Sequence, residues 1–517
     1  MGGHDPAISY VPGRARASTE RRPGRPAARG AAGSCRLRAG LSLLVLSLTA
    51  ARAVPAQTPD TARLEWTATF RTRAESWDWF DAGPEGRYTY LGSHFRAGLQ
   101  QQAGSFGWRV EVMAPLLLGL PEDAVLPAPQ GQLGQGASYV AANDGATSPG
   151  DIFPKEVYLR LGRPLRSDGH TLRLGRFDFS DGSEAVPTNA TLARIKRERI
   201  TQRLLGPFGF THVMRSYDGL QYSWTSRGRQ LWVMGVRPTT GVFDTDGWGW
   251  VDDVSVLYGA VTAPLRIGGE AGDARLFALW YEDGRNLVKT DNRPAPAREA
   301  DLGAVRITRL GGHLLQVFPT DAGPVDLLLW GALQTGSWGA LDHRATAAAL
   351  EVGLQPRWGG LQPWLRLGFF RGSGDGDPSD GEHGTFFQAL PTPRPYARFP
   401  FYDFNNTTEV FATLTVRPRP ALTLRAGAHN VRLSEQDDLW YVGGGPFEDE
   451  TFGYVGRPSG GARGLATILD FSATVAPLPW MAVEGYVALA LEGEVVRSIY
   501  PDAGAGRLAY LELELRR

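Results

Sequence analysis

The chain has 517 residues with 54 Lys and Arg against 54 Asp and Glu, and it is rich in Gly (65), Trp (15), Tyr (16) and Phe (23). Without the nine arginines and two acids of positions 1 to 53, 45 basic groups face 52 acidic ones, a net of about −7, which excludes a generally basic, nucleic-acid-binding surface. Cys35 is the single cysteine, so no intramolecular disulfide framework exists, and the glycine and aromatic bias favours turns and strands over helices.

Residues 1 to 34 are Arg, Pro and Gly rich without pattern, and read either as an extended leader or as residues ahead of the true start. Leu41 to Ala51 is apolar, preceded by Arg36 and Arg38 and followed by Ala51-Arg52-Ala53 and Val54-Pro55-Ala56. Those are the three regions of a secretory signal peptide, too short to span a bilayer. We therefore expect a leader over 1–53 and one folded unit over 54–517. Cys35 precedes the apolar run, so it is not a lipoprotein acceptor.

Beyond the leader no apolar run reaches the roughly 18 residues that a membrane helix needs. What recurs is a segment of about ten residues with period-two alternation, bounded by turn residues, as in a membrane β-barrel. In Leu64-Glu65-Trp66-Thr67-Ala68-Thr69-Phe70-Arg71 the even positions are apolar. Leu91 to Gln100, Trp108 to Ala114, Leu365 to Phe369 and Leu422 to His429 alternate likewise.

This pattern predicts strands at 62–76, 87–100, 105–114, 154–163, 170–178, 212–224, 229–238, 252–265, 273–282, 300–318, 325–336, 342–354, 361–370, 407–417, 420–431, 464–477, 480–490 and 505–517. The expected fold is all-β, a membrane barrel of about eighteen antiparallel strands. Short turns such as Gln101 to Gly104 and Thr225 to Gly228 alternate with long Gly/Pro/Asp-rich loops such as Pro115 to Phe153, Asp181 to Thr211, Arg371 to Asn406 and Ser434 to Arg463. With the amino terminus in the periplasm, every long loop falls on the extracellular side. No fixed period repeats, which excludes a propeller. The last strand alternates cleanly over 509–515 and suits ring closure, although it ends in Arg516-Arg517 where many such barrels end in an aromatic residue.

Trp66, Trp108, Tyr222, Trp224, Trp232, Trp280, Trp330, Trp364, Trp480 and Tyr510 fall near segment ends or on the apolar parity. They read as an interfacial girdle; aromatic cages for a sugar ring are the rival. The polar parity of an eighteen-stranded ring faces an aqueous channel instead of a packed core. It carries Arg71, Arg73, Arg96, Arg109, Arg160, Arg366 and Arg425, interleaved with Glu75, Glu111, Glu156 and Glu351. A guanidinium and a carboxylate about 8 Å apart still attract by about 2 kcal/mol at an effective dielectric near 20, so such a row offers a polyanion successive weak holds. The competing reading is a ladder of ion pairs that braces the wall.

Ala193 to Trp224 runs from a positive loop straight into a strand with one apolar and one polar face. Arg194, Lys196, Arg197, Arg199 and Arg203 fall within ten residues, and the segment then alternates through Leu220, Tyr222 and Trp224. Gln202-Arg203-Leu204-Leu205-Gly206, Phe208-Gly209-Phe210-Thr211-His212 and Arg215-Ser216-Tyr217-Asp218-Gly219 resemble the signature of the bacterial alginate-export family of outer-membrane β-barrel channels. The loop Ser373-Gly374-Asp375-Gly376-Asp377-Pro378 to Asp380-Gly381, followed by Gly384-Thr385-Phe386-Phe387 and Tyr402-Asp403, resembles it too. The resemblance implies an arginine-lined path for polyuronate, with Arg203 and Arg215 as its principal residues. Parity turns Arg215 inward, whereas Arg203 lies in the preceding loop, where a solvated face is the alternative. Gly175-Arg176 looks like another family position, but Arg176 sits on the apolar parity, which implies a register slip or a misleading likeness.

Asp375, Asp377 and Asp380 are spaced as calcium-loop ligands, yet no Glu follows to complete an EF-hand, so a solvated turn competes. No nucleophile elbow, His-Glu-x-x-His or Walker loop is present, and His94 and His429 are lone lumen residues, which argues against an enzyme. No cofactor is implied. The sequence reads as a monomeric outer-membrane channel that passively conducts an anionic polysaccharide or oligosaccharide. Its surroundings would be lipid, lipopolysaccharide and periplasmic export machinery; a general or small-anion porin of the same architecture is the alternative.

Overall fold

Alternation with period two places one face of each strand in lipid and the other in the barrel, and the ring that results is closed. The computed structural model describes residues 63–164, 167–391 and 396–517; the leader expected over 1–53 lies outside them. Eighteen antiparallel strands follow in chain order. They are β1 Leu64–Asp78, β2 Arg87–Ala103, β3 Phe106–Leu118, β4 Phe153–Gly162, β5 His170–Phe177, β6 Tyr217–Ser226, β7 Arg229–Pro238, β8 Val254–Ile267 and β9 Glu270–Asp283. The second half comprises β10 Val305–Phe318, β11 Val325–Trp338, β12 Leu341–Leu354, β13 Trp364–Gly372, β14 Thr407–Arg419, β15 Leu422–Leu433, β16 Gly464–Leu478, β17 Met481–Glu492 and β18 Gly506–Arg516. Each strand pairs with its neighbours in sequence, and β18 returns to β1, with Thr69 opposite Arg516 and Asp78 opposite Arg507. Closure leaves no barrel strand with unpaired edge groups in the hydrocarbon.

The outer face is greasy. Leu276 is 74% exposed, Leu333 64% and Leu367 66%, an arrangement that water would penalise across the whole band and lipid does not. Trp66, Trp480, Trp108, Tyr222 and Trp224 lie near the short-turn ends of their strands, and Arg517 stacks over Trp66 at 3.7 Å. The girdle reading fails for four residues. Trp330, Trp364 and Tyr510 are buried, and Trp232 packs against Phe179, because all four point inward.

Two boundaries moved for a physical reason. The strand expected from 212 begins at Tyr217, because residues 212–216 belong to a folded loop: the His212 amide donates to the Tyr139 hydroxyl (3.0 Å) and the Arg215 amide to the Pro207 carbonyl (2.8 Å). The strand expected from 300 begins at Val305, after a short helix over Ala295–Ala300.

The interior also differs from an open aqueous ring. The loop joining β5 to β6 enters the barrel, forms a helix α1 over Ala190–Ile195 that continues as a π-turn over Lys196–Ile200, and descends to the short-turn end. There Thr191 accepts a bond from Gln355 at 3.0 Å, and Arg194 stacks on Trp364 at 4.1 Å. The loop between β13 and β14 also packs inside, with Leu390 bridged to Leu205. Phe386, Phe387, Tyr396 and Phe404 then form a buried cluster with Trp330, Phe370 and Phe411 of the wall. The loop between β15 and β16 adds a small hairpin of Leu439–Gly443 and Tyr454–Pro458.

Candidate functional site

The β5–β6 loop crosses the barrel between walls that lie opposite each other in the ring. At one wall, Lys196 meets Asp273 of β9 (3.2 Å), and Arg199 and Arg203 meet Glu351 of β12 (2.9 and 3.2 Å). At the other, Arg71 and Arg73 of β1 hold its backbone. Arg71 donates to the carbonyls of Gly209 and Thr211, and Arg73 donates to that of Phe210 (2.8 Å) while stacking on its ring at 3.7 Å. Family-like residues 202–216 are therefore a crossbar inside the barrel, residues 217–219 open strand β6 of the wall, and Arg203 is buried instead of solvated.

The arginines of the polar parity separate by partner. Arg73 pairs with Glu75 (2.6 Å) and Glu512 (3.1 Å), Arg96 with Glu111 and Asp178, Arg109 with Glu111 and Glu156 (2.6 Å), and Arg366 with Asp326 and Glu351 (3.1 Å). Arg71 has a longer contact with Glu512 at 3.7 Å. These groups brace the wall and the crossbar. Burial opposes ionisation of Asp178, at the start of the crossbar, but Lys155 and Arg96 hold its carboxyl below the ordinary value. Arg160 is exposed near the short-turn end and reaches Gln102 at 3.1 Å.

A second set lacks carboxylates within ion-pair distance among the described residues. Arg215 donates to the carbonyls of Pro446 (3.1 Å) and Gly444, and its Nε has no hydrogen-bond partner. Arg425 donates to the Tyr396 carbonyl at 2.9 Å. Arg309 of β10, which the sequence pattern missed, is fully buried, donates to the Phe387 carbonyl, and keeps Nε and Nη1 unpartnered. Arg203 differs from these three in that it is paired with Glu351, but its Nη1 is unpartnered. Arg215 and Arg309 both lie near Tyr281 and Tyr454, and burial lowers the pKa of Arg215, as expected of a desolvated cation. Such groups attract anions strongly, because a buried guanidinium without a counter-ion regains its lost solvation from one.

Arg176 is outside this set. No register slip occurs at Gly175; Arg176 faces outward opposite Asp218, binds it through two bonds (2.8 and 2.7 Å), and is roofed by the carbonyls of Gly247 and Trp248. Asp375, Asp377 and Asp380 each accept a backbone amide two residues on, from Asp377, Ser379 and Glu382. Their carboxylates thus cap turns, and among the described residues no group of three or more His, Cys, Asp or Glu is arranged to hold a metal. His429 is tied to Glu409 at 2.8 Å, whose other oxygen takes the Tyr402 hydroxyl at 2.9 Å.

A closed ring with a lipid-facing apolar band, short turns on one side and inward-folded long loops defines an outer-membrane β-barrel channel. The sequence profile of the alginate export family matches residues 155–476, and the chain belongs to that family. Solved porins share the fold. Pseudomonas aeruginosa OccK9 (OpdG) has a TM-score of 0.53 at 13% identity, over 88% of this chain and 98% of that one. Acinetobacter baumannii OccAB4 has 0.52 at 10%, over 89% and 98%. Pseudomonas aeruginosa OccK2 (OpdF), solved in complex with glucuronate, has 0.51 at 13%, over 88% and 97%. No curated protein matches the sequence. The protein is a passive outer-membrane channel and not an enzyme.

Proposed function

We propose that this channel conducts an anionic polysaccharide or oligosaccharide of the polyuronate class, and that Arg203 and Arg215, with Arg309 and Arg425, form the attractive part of its path. The observation that carries the reading is the burial of Arg215 and Arg309 without carboxylate partners, in a barrel whose other inward arginines are mostly neutralised. Each uronate carboxylate of a passing chain would exchange water for guanidinium, and several spaced groups would hold it weakly enough to let it move. Membership of the alginate export family supports a polysaccharide substrate. The glucuronate in OccK2 supports a uronate in a barrel of this kind. Arg71, Arg73, Arg96, Arg109 and Arg366 serve in this reading as braces, and Arg160 serves the periplasmic mouth.

The test is single-channel recording of Arg203→Glu/Arg215→Glu in planar bilayers. The native channel should prefer anions and be blocked by oligouronate; the variant should lose both properties. Unchanged selectivity and block would overturn the assignment and leave a general small-anion porin, which the likeness to the Occ barrels favours as the second reading. The proposal includes a monomeric barrel amid lipid and lipopolysaccharide, exported by a leader over 1–53 and served by periplasmic machinery.

A further inference from the structure

Six of the long loops meet on the extracellular side around a cavity of about 170 Å³. Its lining runs from Trp79 in the β1–β2 loop through Phe208 and Phe243 to the hairpin residues Phe452 and Arg457. A cavity of about 150 Å³ accommodates a benzene ring, so the enclosed space takes about one unsubstituted ring and not a polymer, and the substituents of a sugar ring must extend into its open solvent side. Packing voids of this size are rare in close-packed protein. Exposed Ala141 and Thr451 stand at its solvent side.

The chemistry of the walls is specific. Arg457 is 1% exposed. Its Nε and Nη2 are committed to the carbonyls of Gln130 (2.9 Å) and Gln132 (2.7 Å), and Nη1 has no hydrogen-bond partner among the described residues. Two indoles position the guanidinium: its carbon lies 4.8 Å from the Trp440 ring and 5.6 Å from that of Trp79, and the two rings stack at 6.3 Å. The hydrogen bonds of Arg457 among the described residues go to carbonyls and none to a carboxylate, although Glu448 lines the same cavity. A fixed cation with one spare donor, an aromatic wall and a carboxylate acceptor together match a ring that bears one acidic group and several hydroxyls.

We infer that this cavity is a recognition site for a single hexuronate residue, the end unit of a chain, held by its carboxylate on Arg457 Nη1 and by its apolar ring face on the aromatic wall. The ligand class rests on the polyuronate reading above; the site is distinct from Arg203 and Arg215. It opens among the extracellular loops and abuts the crossbar at Phe208, the ring over which Arg215 lies at 5.6 Å, so a chain end engaged here is next to the path.

A saturation-transfer NMR titration of the detergent-purified full barrel with sodium galacturonate, using galactose as the neutral control, tests the inference. Galacturonate should bind saturably and galactose at least tenfold more weakly. Thr451→Trp, at the exposed mouth, should weaken galacturonate binding at least tenfold, and Arg457→Gln should abolish the preference for the acid. Absence of saturable binding, equal binding of galactose, or unchanged binding in Thr451→Trp would overturn it. Binding is read without current, so the two readings separate. Oligouronate block of the native channel without galacturonate binding sinks the pocket alone. Binding in a channel that oligouronate fails to block leaves the pocket supported and removes the pore assignment.

Discussion

Glu351 is the hinge of the crossbar, and Glu351→Gln should release it. The carboxylate is fully buried and accepts from Arg199 at 2.9 and 3.2 Å, from Arg203 at 3.2 Å and from Arg366 at 3.1 Å. Arg366 belongs to the wall and retains Asp326, whereas Arg199 and Arg203 belong to the loop. Charge-assisted bonds contribute about 1.5–3 kcal/mol each, but desolvation offsets much of that, so their sum overstates the effect. Breaking a buried pair on one side costs about 3–5 kcal/mol, because the remaining charge is stranded. At about 1.4 kcal/mol per tenfold, the opening constant of the loop should rise by roughly two to three and a half powers of ten. Single-channel recording should show a larger or noisier conductance, and trypsin should cut near Arg199 and Arg203 from the open state. A variant with native conductance and a digestion rate within about twofold of native would refute the view that this carboxylate tethers the loop.

The loop hairpin should respond to pH. Burial pushes the Asp438 carboxyl up to about 6, against the pull of the Thr385 hydroxyl and the Asp375 amide, which sits 3.0 Å away. A folded pKa above the unfolded one means that the stabilising contribution is fully present below about 3.9 and is lost as pH rises through about 6. Amide protection factors at Tyr441 and Tyr454 should therefore be higher at pH 4.5 than at pH 7.5, and an opposite trend would reject the assignment. At the rim of β5, Gly175 has φ +126°, and an added Cβ would lie 2.2 Å from the Val157 carbonyl oxygen. Gly175→Ala should cost about 1–3 kcal/mol and lower the temperature at which the barrel unfolds on gels, through displacement of Arg176 from Asp218. An unchanged transition would show that the strand absorbs the side chain.

The strand register was legible because one physical rule governs it: residues two apart share an environment. Leu365, Leu367 and Phe369 face lipid while Arg366 turns inward. The rule failed where the inner face is itself apolar. In β10, Val305 and Ile307 point inward with Arg309, because an inward loop covers them, so alternation gave no sign that this arginine faces the interior. Trp330 and Trp364 were misread for the same reason: a buried aromatic and an interfacial one are alike in sequence.

Composition and period-two patterning alone determined an outer-membrane ring of eighteen strands with its long loops on one side, and the arginine-rich stretch carried the family likeness. Tertiary structure decided that two loops fill the interior and which guanidiniums are spent on carboxylates. The reason is that charge neutralisation is a contact between distant residues: Arg203 meets Glu351 148 positions away, and Arg215 meets the Pro446 carbonyl 231 positions away. No local pattern encodes such a meeting; only the closed ring, by bringing opposite walls to the same crossbar, creates it.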